Sequence, residues 1–378
     1  MRLTCITSAL VAMSCLVASE AAPAKNSGAL KEAFAAHFRL GAALGTEQVR
    51  GQEPAALELV AQQFNSITSE NLLKWAEVHP QPDGYNFDPA DAFVAFGERH
   101  GMFIVGHTLV WHNQTPGWVF EDAPGEPLSR EQLLDRMREH IQKVVGRYKG
   151  RIHGWDVVNE AFEDDGRLRD TPWRKIIGDD YLEHAFRFAH EADPAAELYY
   201  NDYNEWHPGK RRAVSQLVKS LKAKGVRIDG IGMQGHWGMD YPSLKELDAT
   251  LGDYGKLGVK LMITELDINL LPRADNAVSA DITQDYALEE KLNPYADGLP
   301  DEVSQALARR YAELFRMLLK HEDKIARVTF WGVHDGHSWL NNWPVRGRTA
   351  YPLLFDRNLQ PKPAFDVVRQ AASGESSK

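Results

Sequence analysis

An alternation repeated eight times constrains this chain more than any single motif does: a short strand-like run, then a longer segment with apolar residues at helical spacing. Runs of apolar and β-branched residues predict strands near Arg39–Ala43, Phe64–Thr68, Met102–Gly106, Ile152–Val158, Glu197–Asn201, Gly230–Met233, Lys260–Thr264 and Arg327–Trp331. The spacing between them predicts helices in "EPAALELVAQQF", "DPADAFVAFGERHG", "REQLLDRMREHIQKVVGRYKG", "DDYLEHAFRFAHEAD", "RRAVSQLVKSLKAKG", "YPSLKELDATLGDYGKLG" and "SQALARRYAELFRMLLKHEDK". "PKPAFDVVRQA", Pro361 to Ala371, supplies the closing helix, with Pro363 near its first turn. Several of these segments end in Gly or a basic pair, a helix stop before the next buried strand.

Eight such units are the pattern of a closed (β/α)8 TIM barrel, although an open doubly wound sheet alternates similarly. The glycines help to decide. No G-x-G-x-x-G follows an early strand and no G-x-x-x-x-G-K-[ST] occurs, so the usual nucleotide-cradling loops are missing. A barrel is therefore expected as a single domain over residues 30–371, preceded by a short lead, 22–29, and followed by a polar, frayed tail, 372–378.

The opening "MRLTCITSALVAMSCLVASEAAPA" has another character. One arginine precedes an apolar run from Leu3 to Val17, followed by the small residues Ala18, Ser19, Ala21 and Ala22. That is the layout of a secretory signal, here residues 1–21, and it predicts export to the periplasm or the medium. The run is too short and too polar to span a bilayer comfortably, so no membrane span is expected. Both cysteines, Cys5 and Cys15, lie within it, which leaves the processed chain without cysteine catalysis or a thiolate metal site. Lipidation at Cys15 is the lesser alternative, because Met13 before Ser14 fits a lipoprotein signal poorly. A net charge of −10 argues against nucleic acid or an anionic membrane as partner and leaves neutral substrates open.

Polar and aromatic residues collect where the predicted strands end. The second is followed by Glu70, Asn71, Lys74 and Trp75, and the third by His107, Trp111, His112, Asn113 and Trp118. The fourth ends in Asn159 and Glu160, the fifth in Tyr200, Asn201, Asp202 and Asn204, the sixth in Gln234 and His236, and the seventh in Glu265 and Asp267. The eighth runs through "WGVHDGHSW", Trp331 to Trp339. A barrel gathers these ends at one mouth. One strand-end carboxylate serves equally well as a salt bridge or helix cap. Two, Glu160 and Glu265, among amides, imidazoles and indoles point to glycosidic hydrolysis, in which one carboxylic acid protonates the departing oxygen while the other carboxylate attacks or activates water. The acid needs a raised pKa and the nucleophile must stay charged. Tryptophan faces and amide groups suit sugar rings and hydroxyls.

"WDVVNE", "ITELDI", "GHTLVWH" and "FWGVHDGHSW", supported by "SITSENLLKW" and "GMQGHW", closely resemble the catalytic domain of family 10 glycoside hydrolases, the endo-β-1,4-xylanases. The resemblance runs from about Leu30 to Ala371. It implies a retaining hydrolase of xylan and xylo-oligosaccharides with Glu160 as general acid/base and Glu265 as nucleophile. It further implies that Asn159 bonds the substrate 2-hydroxyl or orients the nucleophile, that His236 stands beside Glu265, and that Asp267 orients His236. Glu70, Asn71, Lys74, His107, Trp111, Gln234 and Trp331 are implied as the subsite for the sugar on the non-reducing side, roofed by Trp339. A bulky tryptophan against C5 would admit xylose and clash with the hydroxymethyl of glucose.

Other residues keep open readings. Tyr200 is either a cleft residue or part of an aromatic layer over the barrel, and Asn201 and Asp202 are expected to support the site through hydrogen bonds. Trp75 is expected in the core, and His112 and Trp118 either serve the cleft or shape the third loop. His107/His112 and His334/His337 have spacings that suggest a metal, but no H-E-x-x-H occurs and retaining hydrolysis needs none, so neither metal nor cofactor is expected. The long connection 268–303 either shapes leaving-group subsites or is an inert surface loop. A β-1,4-glucanase or mixed-linkage glycanase on the same barrel is the nearest alternative, and a non-catalytic carbohydrate-binding barrel another, disfavoured by the intact carboxylate pair. A monomer is expected, because a long polymer needs an open cleft.

Overall fold

The computed structural model describes residues 28–123, 125–273 and 282–374. The expected signal segment 1–21 with its two cysteines, most of the lead, and residues 375–378 of the tail lie outside the described residues. Eight parallel strands form the wall: β1 (Arg39–Leu44), β2 (Ser66–Ser69), β3 (Phe103–Val110), β4 (Gly154–Asn159), β5 (Glu197–Asp202), β6 (Gly230–Met233), β7 (Lys260–Asn269) and β8 (Ile325–Phe330). Each pairs with its predecessor, and β8 also pairs with β1, with Gly41 opposite Thr329 on one side and Ser66 on the other. The sheet is thus a closed (β/α)8 barrel, which excludes the open doubly wound arrangement.

Eight longer helices among the described residues follow the strands: α1 (Pro54–Gln63), α2 (Asp88–Arg99), α3 (Arg130–Arg147), α4 (Tyr181–Ala192), α5 (Pro208–Ala223), α6 (Leu244–Gly255), α7 (Asp301–Lys320) and α8 (Pro363–Ala371). Their starts are set by local chemistry. Ser129 and Ser243 close capping boxes with Gln132 and Glu246, satisfying N–H groups that a first turn leaves unpaired. Pro54, Pro208 and Pro363 stand at first positions, where a missing N–H costs nothing. Pro208 and the acidic pair Asp301 and Glu302 start α5 and α7 three residues before the expected Arg211 and Ser304. Phe64 caps α1 instead of opening β2, and Ile152 bonds back to Tyr148 in the turn after α3, so β4 begins at Gly154.

Alternation along the strands divides the interior in two. Leu40, Ile67, Ile104, Leu198, Ile231, Ile263 and Val328 join Val60, Phe93, Val144, Phe186, Val218, Leu251, Phe315 and Val368 of the helices in one continuous apolar core. Burying each such side chain contributes about 1.5–3 kcal/mol. The other strand face holds a small separate cluster, Val105, Tyr199 and Met262. Two residues further along that face stand His107, Asn201 and Thr264, all buried and polar. The barrel is plugged by apolar groups low down and lined by hydrogen-bonding groups towards its mouth.

One buried cluster beside the third strand carries a pH signature. Trp75 is buried, as expected for core packing, and stacks on His140 at 3.5 Å between ring centroids, while His79 stacks on Tyr85. His79 Nε2 meets the Pro82 carbonyl at 3.2 Å, so that nitrogen carries the proton; His79 Nδ1 then accepts from His140 Nδ1 at 3.1 Å. Burial, aided by His79, holds His140 well below the ordinary imidazole value of 6.5. Burial also lowers His79, against the opposing hydrogen bond to Pro82. Both imidazoles gain a proton on unfolding once the pH drops below 6.5, so stability falls as pH falls through that value, by as much as about 1.4 kcal/mol per pH unit per histidine. Urea unfolding between pH 7.5 and 5 should therefore show a smaller loss of stability in His140→Gln than in the wild type; parallel slopes would remove His140 from this role.

Candidate active site

The mouth of the barrel collects its polar residues because several strands overrun or break there. β6 stops at Met233, Gly235 turns the chain with φ 85°, and residues His236–Gly238 resume pairing beside the upper part of β7. That φ belongs to the left-handed region, where glycine avoids a Cβ clash, and the kink lets Gln234 and His236 both reach the mouth. β7 continues through Glu265 to Asn269, five residues beyond the expected Thr264. A Cβ on Gly232 would lie 2.3 Å from Asn201 Oδ1, so only glycine leaves Asn201 its place.

Glu160 follows the last residue of β4 with φ 55°, a conformation that costs a non-glycine residue about 1–2 kcal/mol. Its N–H donates to the Asn201 carbonyl at 2.9 Å, and the next N–H, of Ala161, donates to Tyr200 Oη at 3.0 Å. The Tyr200 hydroxyl in turn donates to Asp202, which pairs with the buried Lys210. Tyr200 thus belongs to the aromatic layer between barrel and helices and braces the turn that aims Glu160. The Glu160 carboxylate accepts from Trp111 Nε1 and from Gln234 Nε2, both at 2.8 Å.

Glu265 is held differently. Asn201 Nδ2 donates to its Oε1 at 2.8 Å, and His236 Nε2 lies 3.1 Å from its Oε2. His236 Nδ1 lies 3.0 Å from Asp267, whose same oxygen accepts from Trp339 Nε1 at 2.7 Å. Asn201 also donates to Asn159 Oδ1 at 2.9 Å, and Thr264 Oγ1 donates to Asn201 Oδ1 at 2.6 Å, which fixes the amide orientation. Asn159 makes no hydrogen bond to either catalytic-candidate carboxylate among the described residues. Its Oδ1 serves Asn201 and Gln234.

The two carboxyls are equally buried and oppositely shifted. Burial pushes Glu160 above the ordinary carboxylate value, against the opposing hydrogen bonds from Gln234 and Trp111, and Asp202 adds to the rise. Burial also presses Glu265 upward, but the His236 hydrogen bond, the positive influence of His107 and His236, and the Asn201 bond together carry it below that value. His236 itself is raised to about 10: burial disfavours its charge, but Asp267 and Glu265 outweigh burial. One carboxyl is thereby disposed to hold a proton and the other to stay ionised.

A cavity of about 180 Å³ lies over this pair, lined by Glu70, Asn71, Lys74, His107, Trp111, Gln114, Asn159, Gln234, Trp331 and Trp339, together with Glu160, His236, Glu265 and Ile282. Lys74 Nζ donates to Asn71 Oδ1 and Gln114 Oε1, both at 2.9 Å, and stands 4.9 Å from the Trp111 ring centroid. Burial pushes Glu70 upward and Lys74 downward from their ordinary values, with each other's charge opposing both shifts. His107 bonds Asp156 at 3.0 Å and meets Trp331 edge-on. A second cavity, about 210 Å³, continues past His236 and Trp339 between Trp206, Tyr241 and Trp343. The two form one cleft on either side of the carboxyl pair.

Known proteins resemble this chain in both sequence and fold. Residues 29–371 match the model of glycosyl hydrolase family 10. The chain belongs to that family. It is 47% identical to endo-1,4-beta-xylanase A of Xylanibacter ruminicola, over 92% of this chain and 94% of that one. It is 44% identical to an endo-1,4-beta-xylanase of Geobacillus stearothermophilus, over 89% of this chain and 96% of that one. Among solved structures it superposes on a GH10 endoxylanase retrieved from a sugarcane soil metagenome with a TM-score of 0.88 and 46% identity, covering 90% of this chain and 99% of that one. Xylanase XynB of Paenibacillus barcinonensis, complexed with a conduramine derivative, gives a TM-score of 0.80 and 44% identity, covering 90% and 97%.

All twelve residues expected at the carboxyl pair and its sugar subsite line or support this family 10 cleft. Asn201 stands closer to the chemistry than a general supporting role suggested, since it bonds Glu265 directly. Sequence inspection passed over Gln114, which binds Lys74, and the aromatic walls Trp206, Tyr241 and Trp343 of the second cavity. "YYNDYNEW" carried a signal for Trp206, an aromatic just beyond the fifth strand end. Trp118 donates to the Pro80 carbonyl and packs on Trp75 in the third loop, while His112 contacts Trp111 and Asn113. The connection after β7 touches both cavities, with Ile282 at the first and Pro272 and Arg273 at the second; it begins at residue 270, and residues 274–281 lie outside the described residues.

Loss of a donor to an ionised carboxylate raises its pKa. With Glu160 as the group of the basic limb, Gln234→Ala should move that limb of a kcat/KM–pH profile to higher pH. With Glu265 as the group of the acidic limb, His236→Ala should move that limb upward as well. Unmoved limbs in both variants would detach these carboxyls from the titration.

Proposed function

We propose that Glu160 and Glu265 drive a retaining, endo-acting hydrolysis of β-1,4-xylosidic bonds in xylan. The opposite electrostatic settings of two buried carboxyls in one cleft carry this reading, and relatives named endo-1,4-beta-xylanase support the substrate. Glu265, kept ionised by His236 and Asn201, attacks the anomeric carbon. Glu160, kept protonated by burial, delivers its proton to the departing glycosidic oxygen, and the chain on the leaving-group side departs past Trp206 and Tyr241. A covalent xylosyl ester on Glu265 remains. Glu160, now charged, takes a proton from water, which displaces Glu265 and restores both carboxyls. Asn159 lends its Nδ2 to the sugar 2-hydroxyl, an interaction that strengthens as charge develops at the ring. Neither step calls for a cofactor.

Glu70, Asn71, Lys74, His107 and Trp111 hold the sugar on the non-reducing side, with Trp331 and Trp339 closing against C5. Xylose presents only hydrogen there; glucose presents a hydroxymethyl that this wall rejects, which favours xylan over cellulose. No helix among the described residues is long and apolar enough to cross a membrane, and the apolar opening of the chain supports export of a protein acting alone on a polymer in the periplasm or the medium.

Glu265→Ala should lower xylan hydrolysis by about 10⁴-fold or more. Glu160→Ala should lose xylan hydrolysis but still form the glycosyl ester from an aryl xylobioside whose leaving group needs no proton, and added azide should restore turnover as the β-azide. Proton NMR of the first product should show the β-anomer. An α-anomer first would defeat the retaining mechanism, and greater activity on carboxymethylcellulose than on xylan would favour a glucanase.

A further inference from the structure

Behind the tryptophan wall, the barrel gathers three residues distant in sequence. Glu53 precedes α1, and its carboxylate accepts from Gln48 Nε2 at 2.8 Å and from His334 Nε2 at 3.5 Å, with His337 Nε2 in ion-pair contact at 2.6 Å. Two imidazoles and a carboxylate with ligand atoms within 4.8 Å of one another are also a familiar set for a divalent metal. The opposite edges of the rings decide between these uses. His334 Nδ1 accepts the Gly336 N–H at 3.2 Å, and His337 Nδ1 accepts from Gln48 Nε2 at 3.2 Å. The Gln48 amide cannot turn over without loss, because its Oε1 takes the Gly45 N–H at 2.9 Å. Both rings therefore carry their proton on Nε2, the nitrogen on the Glu53 side of each ring. Binding a metal at Nε2 would drive each proton to Nδ1, where a donor already points.

The consequence concerns the segment between the two imidazoles and the sugar site. His334 and His337 lie between Trp331 and Trp339, which close the first cavity. Asp267 holds Trp339 from the β7 side, and the buried Lys362 holds Asp335 from the α8 side. Glu53 supplies the tie on the β1 side. It reaches the sugar pocket by a second route as well, since Gly45, which anchors Gln48, packs against Glu70: a Cβ there would lie 3.1 Å from both Gln48 Oε1 and Glu70 Oε2.

We propose that Glu53, through His334 and His337, is a specificity-positioning clamp: it holds the Trp331–Trp339 segment in place so that the tryptophan wall continues to reject a sugar bearing a C5 hydroxymethyl. The proposal rests on the xylanase reading above. Rejection by a steric wall is only as strong as the wall is stiff, for a side chain free to retreat by an ångström admits the larger sugar with little penalty. Selectivity then depends on residues that touch no substrate.

The test compares kcat/KM for 4-nitrophenyl β-xylobioside and β-cellobioside in the wild type, Glu53→Ala, Glu53→Gln and His337→Ala, with His140→Gln as a control for lost stability. The xylobioside-to-cellobioside ratio should fall about fivefold or more in Glu53→Ala and His337→Ala, mainly through a higher KM for xylobioside and a lower KM for cellobioside. Glu53→Gln, which keeps an acceptor for the imidazole protons, should recover part of the ratio, and His140→Gln should leave it unchanged. An unchanged ratio in the clamp variants, or an equal fall in the control, overturns the proposal. Stoichiometric zinc in elemental analysis of the purified wild type, absent from His337→Ala, overturns the proton assignment. A wild type inactive on xylobioside and xylan strikes the xylanase reading instead.

Discussion

Pairing of β8 with both β7 and β1 is the constraint on which everything else in the molecule depends. Closure leaves no free sheet edge and buries each strand on two faces, so the strands divide by alternation into an apolar outer row and an inner row with room for little. Because every strand of the barrel is parallel, closure also brings all eight carboxyl ends to one rim. A polar residue at a strand end then faces seven others. An open sheet with the same strands would spread Glu70, Glu160 and Glu265 along a line and assemble no cleft around a sugar ring.

Gathering so many ionisable groups out of water is costly unless each has a partner, and the partners chosen here divide the labour of the two carboxyls. Glu265 receives donors from both sides, one of them an imidazole whose pKa Asp267 raises, and is held below the ordinary carboxylate value. Glu160 receives two neutral donors and the opposing influence of Asp202, so burial prevails and its pKa is raised. The difference arises less from the carboxyls than from what stands behind them. Tyr200, Asn201 and Asp202, three consecutive residues of β5, serve both: Tyr200 and Asp202 brace and tune Glu160, and Asn201 orients Glu265.

The cluster of Glu53, His334 and His337 shows how the same three groups can be metal ligands or a hydrogen-bonded clamp according to which ring nitrogen is already engaged. A backbone N–H and one oriented amide are enough to decide it. Similar reasoning applies to His79 and His140, where a single carbonyl, of Pro82, sets the direction of the shared proton.

The barrel was legible in the sequence because it rests on local signals: the period of apolar residues, serine and proline at helix starts, glycine at helix ends. The strand-end residues were legible for the same reason, since a polar group directly after a buried run is a local event. Element ends were read less well, as at Phe64, Arg211 and Ser304, because a cap or a first-turn proline moves a boundary without altering the period. Tertiary structure alone decided what distant residues do to one another. Nothing local to Glu53 announces two histidines that follow it by most of the chain, and nothing in "YYNDYN" says that Asn201 faces a carboxylate while Tyr200 faces the helices. Sequence determined which chemical groups stand at the rim; the closed barrel determined their neighbours, and burial beside those neighbours determined which carboxyl is shifted up and which down.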